Sequence, residues 1–256
     1  MKSFNRAVSL SAGVLCAALM IAAGSGNAGE KSFQFEYKTK TSFSAGTDSQ
    51  PSASDFRSAA EKGDPQAQHN LGVSYERGDG VKKDPAEAYK WYRKAAEQGY
   101  APSQGMVGAY LLKGIAVDAN PAEAVKWFRK AAEQGHVQSQ YNLGVCYEEG
   151  LGVQKDPAQA FSLYLKAAEQ DDAQAKTNLG VCYMEGIGTR KDIAAAVTWF
   201  RQAAEQGDAV GQFNMALCYA DGIGVKSDLN AAVKWAEKAA KQGHGDAEKL
   251  LKRLKK

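Results

Sequence analysis

Residues 63–98 read GDPQAQHNLGVSYERGDGVKKDPAEAYKWYRKAAEQ, and these 36 residues decide the fold. Asp64 is suited to a helix N-cap and Pro65 to the first turn behind it. The helix they open is predicted to run to about Arg77, where Gly78-Asp79-Gly80 breaks it. Asp84-Pro85-Ala86-Glu87 then restarts a helix with an acidic cap, proline at its first position and a capping-box glutamate. Gly99 stands where a C′ glycine should. The stretch therefore specifies a helix hairpin. Gly63 returns as Gly99, Gly135, Gly207 and Gly243, with Asp171 in the one intervening place, so the hairpin is copied at a strict period of 36.

Five copies follow without insertion, at 63–98, 99–134, 135–170, 171–206 and 207–242. On the first helix, Ala67, Leu71, Ser74 and Tyr75 form one stripe, with Gly72 beside it admitting a neighbouring helix. On the second, Ala88, Trp91, Tyr92, Ala95 and Ala96 form the packing stripe, while Glu87, Lys90, Arg93, Lys94 and Glu97 face water. The equivalents of Trp91 are Trp127, Leu163, Trp199 and Trp235, so all four tryptophans occupy one slot and are assigned to the core. Alanine recurs without exception at Ala88, Ala124, Ala160, Ala196 and Ala232. Residues 51–62 match a lone second helix and 243–256 a lone first helix, which gives twelve helices: one cap, five pairs, one cap.

The string Asn142-Leu143-Gly144-Val145-Cys146-Tyr147, then Gly150-Leu151-Gly152-Val153, Asp156, Ala160 and Ala167-Ala168, closely resembles the Sel-one-like repeat, a relative of the tetratricopeptide repeat. The resemblance extends over residues 51 to 256. It implies an all-α fold, a right-handed α-solenoid with single capping helices at both ends, used as a scaffold for protein assembly. The second copy departs from the pattern with Met106, Leu111 and Ala116, and the fourth with Asp171 and Ile193.

The first 28 residues are a different text. Lys2 and Arg6 precede an apolar run from Ala7 to Ala23 and a small-residue exit at Gly26-Asn27-Ala28, the pattern of a secretory signal peptide cleaved after Ala28. Residues 29–50 have no helical period and read as a flexible tether. Export to a periplasm or outside the cell is the expectation, with no integral membrane segment after cleavage. Without residues 1–28 the chain holds 30 Lys+Arg against 29 Asp+Glu, which gives no reason to expect nucleic acid. Cys146, Cys182 and Cys218 repeat one slot in three successive copies. Equivalent residues of stacked helices lie about 8–10 Å apart, beyond the roughly 7 Å reach of a disulfide, so three free thiols are expected. No Cys/His clustering offers a metal ligand set, and no cofactor is indicated. The oligomeric state is not legible.

In a solenoid of the resembled kind the first helices line the concave surface, and candidate groove positions follow from that. They are Asn70, Val73, Leu112, Tyr141, Asn142, Val145, Asn178, Val181, Met184, Phe213, Asn214 and Leu217. Two readings of their apolar members stand open: a strip that binds a protein or peptide partner, or side chains buried between successive repeats. The row of asparagines offers donors and acceptors to the backbone of an extended peptide. Glu149, Glu185 and Asp221 share a slot at the end of the first helix and read as a solvated face. His69, His136 and His244 have no repeated acidic or nucleophilic companion and read as surface or cap residues. One cysteine-rich branch of the resembled family carries a β-lactamase label. Here, however, no Ser is followed three residues later by Lys and no Lys-Thr-Gly occurs. A cell-wall glycan binder is a further alternative. The sequence as a whole points to an exported, non-enzymatic interaction scaffold.

Overall fold

The computed structural model of the protein describes residues 53–255; the signal-peptide and tether readings lie outside them. Twelve α-helices follow one another: α1 (Ala53–Glu61), α2 (Pro65–Arg77), α3 (Pro85–Glu97), α4 (Ala101–Lys113), α5 (Pro121–Glu133), α6 (Val137–Glu149), α7 (Pro157–Glu169), α8 (Ala173–Glu185), α9 (Ile193–Glu205), α10 (Ala209–Asp221), α11 (Leu229–Lys241) and α12 (Gly245–Leu254). No strand is present among the described residues. These are the five hairpins and two single end helices that the 36-residue period implies. Two compact units are distinguished, residues 53–155 with α1 to α6 and residues 156–255 with α7 to α12.

The helix ends follow from the sequence. Asp84 Oδ1 accepts from the backbone N–H of both Ala86 and Glu87 at 3.0 Å, and Asp156 repeats this with Ala158 and Gln159. Tyr100 and His136 occupy the corresponding place before α4 and α6, and neither makes a side-chain cap bond. The first helix of the first hairpin stops at Gly78, in the left-handed region at φ +90°.

What joins the two helices of a hairpin is a small residue facing a ring. A Cβ placed on Gly72 would lie 2.7 Å from the Tyr92 ring, one on Gly108 2.8 Å from Phe128, and one on Gly180 2.4 Å from Phe200. The alanines of the invariant slot, Ala88, Ala124, Ala160, Ala196 and Ala232, are all buried. Tyr92 is wholly buried and donates its hydroxyl to Glu76 Oε2 at 2.7 Å. The tryptophans are less enclosed than a core assignment implies. Trp127 is buried, but Trp91, Trp199 and Trp235 keep surface. Lys94, Lys130 and Lys238 lie over the rings of Trp91, Trp127 and Trp235 at 4.0, 4.5 and 4.0 Å.

Successive hairpins are stitched by glutamines. Gln68 donates to the carbonyl of Ala60 (3.1 Å) and accepts from Gln98 Nε2 (2.8 Å). Gln104 repeats this with Ala96 and Gln134, and Gln212 with Ala204 and Gln242. Each is buried, so every amide bond here satisfies a group that water cannot reach. In the fourth hairpin the glutamine becomes Lys176, also buried, and the glycine becomes Asp171, whose carboxylate pairs with the ammonium. The two departures compensate one another.

The irregular loops keep the geometry of the regular ones. Ala116 sits at φ +59°, beside +68° for Gly152 in the same slot, and Asp171 at +74°. At Gly152 a side chain is also excluded by space, because a Cβ would lie 2.2 Å from the Pro121 carbonyl. Cys146, Cys182 and Cys218 are free and buried, and burial pushes the thiols of Cys146 and Cys218 up to about 12.

The Asp171–Lys176 pairing has a measurable consequence. Asp171→Gly removes left-handed strain but strips a buried ammonium of its partner, so the urea midpoint is expected to fall. Adding Lys176→Gln restores the regular relay and is expected to bring the midpoint back to wild type or above. Additive effects of the two substitutions would refute the compensation.

Candidate functional site

The first helices of the hairpins are α2, α4, α6, α8 and α10, and every candidate groove residue lies on one of them. In residues 53–155, Asn70, Val73, Tyr141, Asn142 and Val145 are buried, while Leu112 keeps surface. In residues 156–255, Met184, Phe213, Asn214 and Leu217 are buried, while Asn178 and Val181 keep surface. Val181, Met184, Phe213 and Leu217 come together in one apolar cluster with Ala216, Cys218 and Leu250. The structure brings these four together, and in residues 53–155 it distributes the candidates along α2, α4 and α6.

The burial has a local cause. The slot of His69 and Phe213 faces the start of the next first helix. The Phe213 ring stacks on His244 at 4.5 Å, just before α12. His69 Nδ1 shares a 2.9 Å hydrogen bond with Ser103 Oγ, and its ring lies 5.4 Å from both Tyr92 and Tyr100. Thr177 donates to Asp208 Oδ2 at 2.7 Å in the same register. His69 is thus a packed seam residue, correcting its reading as a surface group; periodicity alone does not distinguish a first helix with one neighbour from one with three. His136 and His244 do stand at helix N-caps, and His244 Nδ1 accepts from Ala247 N–H at 3.3 Å.

Electrostatics at this seam follow burial. Desolvation, with a smaller contribution from His136, lowers the His69 pKa to about 4. Burial also lowers those of His136 and His244 and raises that of Asp208, against the hydrogen bonds it accepts from Thr177 and Gly211. The imidazoles here are neutral near pH 7.

The asparagine row is the chemically unusual feature. Asn142 Oδ1, Asn178 Nδ2 and both amide atoms of Asn214 are enclosed without a hydrogen-bond partner. Glu185 Oε1, at the end of α8, is likewise unpaired, while Asp221 is exposed. Among the described residues, no group of three or more His, Cys, Asp or Glu side chains is placed to hold a metal ion. No described helix is long and apolar enough to cross a membrane. The glutamine relay escaped the sequence reading, although Gln68, Gln104, Gln140 and Gln212 carry the same period as the glycines.

Hairpins of constant length, stitched in register and closed by single helices, define a helical-repeat protein of the α-solenoid class. The Sel1 repeat matches residues 65–100, 101–136, 137–172, 173–208 and 209–244, so the chain belongs to the Sel1 repeat family, whose members mediate protein–protein interaction. A Sel1 repeat protein from Oxalobacter formigenes is 37% identical over 80% of this chain and 84% of its own, with a TM-score of 0.73. The protein c5321, described as a protective antigen present in uropathogenic Escherichia coli strains with an SLR fold, is 39% identical with a TM-score of 0.71. That match covers 79% of this chain and 43% of the other, so the chain spans less than half of it. No curated protein matches significantly.

Neutral burial of His69 fixes a pH dependence. Its folded pKa lies below the unfolded value of 6.5, so the unfolded chain takes up the proton first. The His69 contribution is fully present above about pH 6.5, is lost as the pH falls toward 4, and changes no further below that. A shift of this size is worth up to about 3 kcal/mol. His69→Phe, the solution the chain itself uses at Phe213, is expected to flatten the stability profile of the protein between pH 6.5 and 4 in urea titrations.

Proposed function

We propose that the chain is an exported, non-enzymatic adaptor that binds an extended segment of a protein or peptide along its first helices, in a periplasm or outside the cell. The observation that carries this reading is Asn178, which keeps surface on α8 and whose Nδ2 has no hydrogen-bond partner. A buried polar group left unpaired costs about 1–3 kcal/mol. A peptide backbone supplies both donors and acceptors to offset that cost. Asn178 and Val181 in one unit and Leu112 in the other have the surface a partner meets first. On the same first helices Asn70, Val73, Tyr141, Asn142 and Val145 in one unit, and Met184, Phe213, Asn214 and Leu217 in the other, are buried and hold that surface in place. Export rests on the pattern of residues 1–28, and the likeness to a protective antigen supports it.

Peptides selected from a displayed random library against the full chain test the groove. Asn178→Ala and Val181→Asp are each expected to weaken the selected peptides tenfold or more while helical circular dichroism stays unchanged. Peptides that bind both variants as tightly as wild type would remove the groove from consideration.

The non-enzymatic part is tested separately with nitrocefin, a chromogenic β-lactam. No turnover above the uncatalysed rate is expected from the purified chain. Hydrolysis that follows the protein through successive columns would show that the β-lactamase label of the family's cysteine-rich branch applies here.

A further inference from the structure

Charge is unevenly distributed along the chain. Residues 229–256 hold 8 Lys+Arg against 3 Asp+Glu, whereas residues 29–228 hold 22 against 26, so a net +5 follows a net −4. In residues 156–255 the described cations of this stretch stand on α11, on α12 or just after it. Lys234, Lys238, Lys241, Lys252 and Arg253 are all exposed. Lys249 and Lys255 are paired, with Asp246 at 2.8 Å and Glu237 at 2.9 Å. Lys241 lies within the field of Glu237, while Lys234, Lys252 and Arg253 form no ion pair among the described residues. The bond from Lys255 to Glu237 ties the end of α12 to α11, so the two basic helices adjoin.

Two apolar side chains of α11 keep surface. Leu229, the first residue of α11, is 57% exposed, the large apolar side chain left open among the described residues. Trp235 keeps surface beneath the Lys238 ammonium, 4.0 Å from its ring. The first position of the other second helices is Pro85, Pro121, Pro157 or Ile193, so Leu229 is peculiar to this hairpin.

We propose that the outer face of α11 and α12 is a second interaction surface, distinct from the first-helix groove, and that its partner is an anionic phospholipid bilayer. The arrangement has no fork of arginines aimed at one point. Four of the five exposed cations named above are lysines, hydrated point charges suited to a diffuse field of phosphates. Lysines need not shed water to respond to such a surface, and each adds to the attraction within a Debye length. Bidentate recognition of carboxylates would call for arginines, of which this face has one, Arg253.

Co-sedimentation of the full chain with vesicles decides the matter. Wild type is expected to bind vesicles of phosphatidylcholine with one third phosphatidylglycerol, and to bind pure phosphatidylcholine far less. The second vesicle also measures any contribution from the apolar run at 7–23. Lys234→Gln/Lys241→Gln/Lys252→Gln is expected to weaken the phosphatidylglycerol-dependent part about 100-fold, at about fivefold per residue. Lys82→Gln/Lys83→Gln/Lys126→Gln makes the same change in net charge elsewhere and is expected to leave it unaltered. Soluble polyglutamate is expected to bind wild type far more weakly than the anionic vesicles do. Equal loss in both triple variants, no preference for phosphatidylglycerol, or polyglutamate binding as tight as vesicle binding would overturn the proposal. The last outcome would assign the face to an acidic polypeptide instead.

Discussion

Everything in the array depends on the closeness of the two helices within a hairpin, and that closeness is set where a glycine on one helix receives a ring from the other. Gly72 with Tyr92, Gly108 with Phe128 and Gly180 with Phe200 leave no room for even a methyl group. Packing at interior density turns such a contact into a fixed spacing rather than a preference. The fifth hairpin shows how far the rule can bend. Ala216 replaces the glycine and Ala236 the ring, and both are fully buried. The methyl gained on one helix returns only part of the ring lost from the other, and both alanines are enclosed in one cluster with Met215 and Leu217.

Between hairpins the physics changes from shape to hydrogen bonding. Gln68, Gln104 and Gln212 each bridge a carbonyl of the preceding helix and an amide of the following one. A buried amide of this kind fixes register, because a displaced hairpin would leave both its donor and its acceptor unpaired. That also explains why the fourth hairpin could change chemistry at this point only by changing two residues. Lys176 alone would be an unpaired buried cation, and Asp171 alone a strained residue with nothing in return. Together they replace a neutral relay with an ionic one.

The period made the helices, their caps and the hairpin stripes legible, since each depends on residues a few positions apart. Asp84-Pro85 and Gly78 specify their own geometry, and Ala88 and Gly72 reveal close approach by their size. The surroundings of Val73, Tyr141 and Phe213 were not legible in the same way. Read on a single hairpin, these positions lie off the core stripe; in an array a first helix also meets the first helix of the next repeat. Leu250 shows this directly. It occupies the asparagine slot on the last helix, where it is buried against the preceding hairpin. The cue was present in the sequence, since an apolar residue that recurs off-stripe at every period has a neighbour that recurs at every period. His69 illustrates the converse, because a single histidine carries no period and its packing against Tyr92, Tyr100 and Ser103 shows only in the structure.

The last hairpin and its closing helix differ physically from those before them. A hairpin inside either unit is covered on both sides, whereas α12 has no described helix beyond it and must be kept soluble by its own side chains. Lys249, Lys252 and Arg253 meet that requirement on α12, and Lys255 just after it. Solvation and recognition are not competing explanations for them. A lysine that stays hydrated loses nothing by facing an anionic surface a few ångströms away, so residues that solvate an uncovered helix are free to orient the molecule as well.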